Sequence, residues 1–137
     1  MYHSCMRIDH VAVAVKDLDS AVELFTKVFG GEVTWRGRVE EQGVEVVRIT
    51  VNGVDWELLG GIGEDSPVTR FIERRGEGLH HVSFRVDDIE SEVERLKSLG
   101  LKPVSEKPTK GSKNSLIFFF HPKSLRGVLL ELCQHPE

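Results

Sequence analysis

The sequence predicts an α+β fold in which two tandem βαβββ-type repeats form one cupped, mostly antiparallel sheet. Three observations carry this. The chain repeats itself: HVAVAVKDLDSAVE from His10 is answered by HVSFRVDDIESEVE from His81. Under one constant offset, His10, Val11, Val15, Asp17, Val22 and Glu23 recur as His81, Val82, Val86, Asp88, Val93 and Glu94. In each copy an alternating apolar segment gives way to one of helical period, the pattern of a strand followed by a helix. Each copy then closes on an apolar strand carrying a Glu-Leu pair, Glu57-Leu58 and Glu131-Leu132. The repeats span residues 6–61 and 78–135 of a single domain covering 1–137, with a linker helix over 66–75.

Each element has a local cause. Ile8 to Val15 alternates, with Val11, Val13 and Val15 on one face and His10, Ala12 and Ala14 on the other. Asp17 or Asp19 caps the following helix by accepting from orphan N–H groups. Leu18, Val22, Phe25 and Phe29 form its apolar stripe, and Gly30-Gly31 ends it. Strands are expected over Glu32–Val39, Val44–Val51 and Val54–Leu59, the last two joined by the hairpin signal Asn52-Gly53. Ser66 followed by Pro67 opens the linker helix, which runs to Arg75. The second copy offers a strand over His81–Val86, then a helix capped by Asp87 or Asp88 and carrying Ile89, Val93 and Leu96. Strands near Lys102–Ser105, Leu116–His121 and Val128–Cys133 complete it.

Composition narrows the function. With 18 Lys plus Arg against 22 Asp plus Glu, the formal charge is -4. Nucleic-acid binding is not expected, because it relies on a dense basic face. No apolar run reaches membrane-spanning length, and Met1 to Asp9 lacks an apolar signal segment, so a cytoplasmic location is expected. Cys5 and Cys133 read as free thiols.

Strand parity gathers the chemistry. The valine-rich faces must cover the helices, so His10 and His81 point to the opposite, concave face. Glu57 and Glu131 likewise lie opposite their apolar neighbours. Two imidazoles and two carboxylates suit a divalent first-row metal. Repetition favours this over isolated strand residues, because a buried carboxylate is costly unless it is paired or metal-bound. His80 has the opposite parity to His81 and reads as a structural residue on the helix side. His3, His121 and His135 have no counterpart in the other copy, and Cys133 reads as a buried inert thiol.

These residues resemble the vicinal oxygen chelate (glyoxalase/bleomycin resistance/dioxygenase) superfamily and, within it, the methylmalonyl-CoA epimerase family. The resemblance rests on IDHVAVAV, EEQGVEV from Glu40, GEDSPV from Gly63, RRGEGLHHVSFRVDDI from Arg74 and HPKSLRGVLLEL from His121, in order over most of the chain. It implies a glyoxalase-like fold with metal ligands at His10, Glu57, His81 and Glu131. It implies one divalent ion per chain, Co2+ ahead of Mn2+, Ni2+, Zn2+ or Mg2+, since such donors suit several ions. Some similar proteins carry Gln at the position of Glu57, so the carboxylate makes this site more anionic. KGSKNSLIFF departs from the glycine-rich stretch of similar proteins.

The implied reaction interconverts (R)- and (S)-methylmalonyl-CoA by removing the C2 proton and returning it on the other face. Glu41 and Glu131 are implied as the two acid/base groups, with Glu131 also a ligand. The implied partner is an acyl-CoA thioester, and the implied assembly is a homodimer. Lys123 and Ser124, in HPKS, rank first as substrate contacts. Lys107, Lys110, Lys113 and Arg126 form the basic cluster around them. The competing expectations are a glyoxalase I-type lactoylglutathione lyase and a non-catalytic small-molecule-binding module of the same fold.

Overall fold

The computed structural model describes residues 6–137, so Cys5 and His3 lie outside the described residues. The first copy supplies β1 (Arg7–Ala14), α1 (Leu18–Phe29), β2 (Glu32–Val39), β3 (Val44–Val51) and β4 (Val54–Gly61). The helix α2 (Pro67–Arg75) leads into β5 (Gly78–Arg85), α3 (Ile89–Ser98), β6 (Thr109–Lys110), β7 (Leu116–Phe120) and β8 (Leu130–Gln134). Short 3-10 turns cover Glu40–Gln42, Ser112–Asn114 and Pro122–Leu125.

The eight strands form one curled sheet in the order β2-β3-β4-β1-β5-β8-β7-β6. Two pairings are parallel, β1 with β4 and β5 with β8; the others are antiparallel. The parallel pairing is the same step in both halves, and antiparallel β1–β5 joins them. The four strands expected to bear ligands, β4, β1, β5 and β8, are therefore adjacent at the centre.

The helices α1 and α3 cover the convex face. Beneath α1, Val13, Val15, Val47, Ile49 and Leu58 are buried and meet Leu18, Val22 and Phe25. Beneath α3, Val93 and Leu96 pack with Phe118, Phe120, Leu130 and Leu132. Each such large side chain contributes on the order of 1.5–3 kcal/mol by leaving water. On the concave face, Ala12, Ala14, Val39, Val44, Val46 and Leu59 form a third cluster, closed by Val68, Phe71 and Ile72 of α2.

Local signals act as their chemistry requires. Asp17 caps α1 by accepting from the Ser20 amide at 3.1 Å, and Asp88 caps α3 through Ser91 at 3.3 Å. Ser66 caps α2, with Pro67 as its first residue. Asn52 and Gly53 both have positive φ, 54° and 87°, as a tight two-residue hairpin turn demands. The strand expected over Lys102–Ser105 is a correction: that stretch makes only an isolated bridge, Pro103 to Phe120. Pro103 has no N–H to donate to a ladder. The outermost strand is instead β6, two residues long.

Candidate metal centre and active-site cavity

The concave face brings together three of the residues singled out above. A nitrogen of His10, a nitrogen of His81 and a carboxylate oxygen of Glu131 lie within 4.8 Å of one another, and all three residues are buried. His10 Nε2 is 3.3 Å from His81 Nε2, and the rings meet edge to face. Glu131 Oε2 is 3.7 Å from His81 Nε2. Its Oε1 is buried 3.2 Å from His10 Nε2, yet it receives no hydrogen bond of good geometry. Two ring nitrogens and a carboxylate oxygen without a hydrogen-bond partner face one point, an arrangement that suits a cation there. These donors fit a divalent metal ion.

Glu57 stands at the edge of this group. Its Oε1 is 3.4 Å from His10 Nε2. Its Oε2 pairs with the Arg48 guanidinium, 2.9 Å from Nη2, and accepts from Ser112 Oγ at 2.6 Å. Arg48 is 1% exposed and directly opposite Glu57 in the β3–β4 ladder. It also meets Asp55 Oδ2 at 2.8 Å, Asp9 Oδ2 at 3.0 Å, His10 Nδ1 at 3.2 Å and Ser112 Oγ at 3.3 Å.

Both histidines of this group are oriented from behind by the residue that precedes them. The β1–β5 register skips Asp9 and, in the second copy, His80. Each is the extra residue of a bulge, which breaks strict alternation and turns two successive side chains the same way. Asp9 Oδ2 is 2.7 Å from His10 Nδ1. His80 Nδ1 is 2.8 Å from His81 Nδ1. Assigning the protons from this network puts one on His10 Nδ1, donated to Asp9, and leaves Nε2 toward the centre. The bulge also corrects the expectation for His80: it lines the cavity beside His81 and rests on Phe71 of α2.

Charge is unevenly shared. Burial alone would lower the His10 pKa, but Glu57, the Asp9 hydrogen bond and Glu131 raise it to about 10. Burial dominates at His81 and takes it down to about 3, with Glu131 opposing and His10 and His80 reinforcing. Burial would raise the Glu131 carboxyl, yet His81 and His10 hold it below the usual carboxylate range. At Asp9 burial is likewise outweighed, by the His10 hydrogen bond and the Arg48 charge, so it stays ionised.

A cavity of about 360 Å³ opens over the triad. Val39, Val44, Val46, Leu59, Ile117, Phe119 and Leu129 give it apolar walls, and Glu57, His81 and Glu131 lie at its floor. Gln42 lines it from the 3-10 turn; its neighbour Glu41 is exposed on that turn and is not among the lining residues. Lys123 and Ser124 sit on the Pro122–Leu125 turn, also outside the lining. The Ser124 hydroxyl is occupied locally, donating to His121 O and accepting from the Lys102 amide. Cys133 is a buried residue of β8, where burial and the Asp9 charge push its thiol up. His135 reaches back to Asp9 Oδ1 at 2.9 Å. Sequence reasoning missed Arg48, Asp9 and Ser112. An arginine between valines and isoleucine in VVRIT, facing DWE across the hairpin, was the available signal.

Comparison with known proteins agrees with this geometry. A family model described as the glyoxalase/bleomycin resistance protein/dioxygenase superfamily matches residues 9–119. The mitochondrial methylmalonyl-CoA epimerase of Mus musculus is 38% identical over 93% of this chain and 72% of its own length. The ethylmalonyl-CoA/methylmalonyl-CoA epimerase of Cereibacter sphaeroides is 37% identical over 93% of this chain and 97% of its own. The crystal structure of methylmalonyl-CoA epimerase from Mycobacterium tuberculosis superposes with a TM-score of 0.93, at 31% identity, over 100% of this chain and 93% of that one. A Streptomyces coelicolor epimerase variant in complex with 2-nitronate-propionyl-CoA has a TM-score of 0.91 at 35% identity, over 96% of each chain. Among the described residues no helix is long and apolar enough to cross a membrane. Fold, repeat and buried donor set thus agree with the comparisons, and the chain belongs to the glyoxalase/bleomycin resistance protein/dioxygenase superfamily.

Proposed function

We propose that this chain is a metal-dependent epimerase of methylmalonyl-CoA. The observation that carries the reading is the buried His10–His81–Glu131 group, whose His81 and Glu131 line an apolar cavity. Relatives named as methylmalonyl-CoA epimerases match 93% and 100% of this chain at 37% and 31% identity. A divalent ion at this centre, Co2+ by preference, would supply Lewis-acid stabilisation of the charge that grows on the thioester oxygen as C2 loses its proton.

The protein's own groups do the rest. His10, His81 and Glu131 form the donor set, with Glu57 Oε1 beside it as the fourth. Inversion needs a proton-transfer group on each face of C2. Glu41 is assigned to one face on the resemblance of EEQGV; it stands exposed on the Glu40–Gln42 turn, whose Gln42 lines the cavity. Glu131 is assigned to the other face from the floor. The apolar walls exclude water from the reacting carbon and hold the acyl group. Lys123, exposed on its turn, is assigned to the CoA phosphates, with Ser124 beside it.

The test is proton–deuterium exchange at C2 of methylmalonyl-CoA in heavy water, with metal-stripped protein and after adding back Co2+ or Mn2+. Metal-dependent exchange with interconversion of the two epimers is expected. No exchange from folded, metal-loaded protein would reject this substrate and bring glyoxalase-type hemithioacetals and non-catalytic binding forward.

A further inference from the structure

We infer that Arg48 is a positioning residue for the fourth metal ligand: with Ser112 it ties down one oxygen of Glu57 and leaves the other to face the ion. The inference rests on the His10–His81–Glu131 group being a metal centre, and not on the identity of the substrate.

The geometry divides the Glu57 carboxylate in two. Oε2 is held at 2.9 Å by the Arg48 guanidinium and at 2.6 Å by the Ser112 hydroxyl. Oε1 faces inward, 3.4 Å from His10 Nε2. An ion pair and a short hydrogen bond on one oxygen fix the rotation of the carboxylate. An ion at the triad would then meet a single Glu57 oxygen. Without the clamp the side chain is free to offer both oxygens or to turn away.

Arg48 also offsets charge. Three buried or half-buried carboxylates, Asp9, Asp55 and Glu57, contact one guanidinium. The extra negative charge that a glutamate at position 57 brings therefore lies against a cation that cannot be deprotonated. A lysine places a point charge there and loses the planar fork that spans Asp55, Asp9 and Glu57 at once.

The test is a double-mutant cycle on the full chain, stripped of metal and titrated with Co2+ by calorimetry, with the visible Co2+ absorption recorded alongside. Arg48→Lys in the native background should weaken Co2+ binding about 10- to 100-fold and alter the spectrum, as losing an outer-shell support does. In a Glu57→Gln background the same change should have a much smaller effect, because its route runs through Glu57. Ser112→Ala removes the second clamp without touching charge and should shift the spectrum in the same direction. If Arg48→Lys does not fold, Ser112→Ala carries the test alone. Equal loss in both backgrounds would overturn the inference and make Arg48 a general counter-charge or a support of His10 through Asp9. Unchanged affinity and spectrum in both Arg48→Lys and Ser112→Ala would overturn it too. A native chain that binds no Co2+, with Glu131→Gln no different, would remove the metal centre itself, a result distinct from failure of the clamp.

Discussion

Metal uptake should release one proton per chain at neutral pH. In the metal-free protein His10 is held protonated up to about pH 10, mainly by Glu57, Asp9 and Glu131 acting against burial. His81 is neutral above about pH 3. Glu131 and Asp9 are already ionised. A cation arriving at His10 Nε2 must therefore displace the His10 proton and no other. Below about pH 10 the apparent affinity for Co2+ should rise about tenfold per pH unit, equal to ~1.4 kcal/mol. Between pH 6 and 8 that is about a hundredfold. Calorimetry in two buffers of unlike ionisation enthalpy counts the protons directly. No proton released, or two, would refute the assignment of unequal charge to the two histidines.

The remaining predictions use other parts of the same network. Without metal, stability should peak near pH 6.5. The raised His10 contributes stability that is complete below its unfolded pKa of 6.5 and lost as pH climbs toward about 10. The depressed His81 contributes stability that is lost as pH falls from 6.5 toward about 3. Thermal melts of stripped protein at pH 5, 6.5 and 9 should show that dome, and a flat profile would contradict it. Asp9→Asn keeps the shape but removes the charge behind His10, so Co2+ affinity measured at pH 7 should change while the far-UV spectrum does not. Glu41→Gln should abolish nearly all turnover with metal content intact, and full activity in that variant would remove Glu41 from the mechanism. Phe118→Ala, at a residue 2% exposed beneath α3, should cost about 3–5 kcal/mol in urea unfolding.

The duplication and the concave placement of His10, Glu57, His81 and Glu131 could be read from period-two parity, because their strands are long and one face of each must cover a helix. Parity failed where the backbone departs from it. The bulges at Asp9 and His80 cannot be seen in a hydrophobic pattern, since a bulge adds a residue without changing composition. Arg48 was missed for another reason. A charged residue in an apolar strand reads as solvent-facing; the register with Glu57, the carboxylates of Asp9 and Asp55 and the approach of Ser112 from the other repeat explain its burial. The displaced last edge strand has a local cause in Pro103. Glu41 stands apart: its assignment comes from the resemblance of EEQGV to known relatives, and its exposed position on a short turn adds no further argument.

The paired bulges have a stereochemical consequence. The backbone around the centre is a pseudo-twofold frame, yet one bulge carries an aspartate and the other a histidine. One half of the floor is anionic behind a charged ring; the other is neutral behind a neutral ring. A ligand with two unlike oxygens, such as a thioester and a carboxylate, meets two unlike halves and has one preferred way round. Gene duplication alone would have built a floor indifferent to that handedness. The divergence of a single bulged side chain is enough to give it a left and a right.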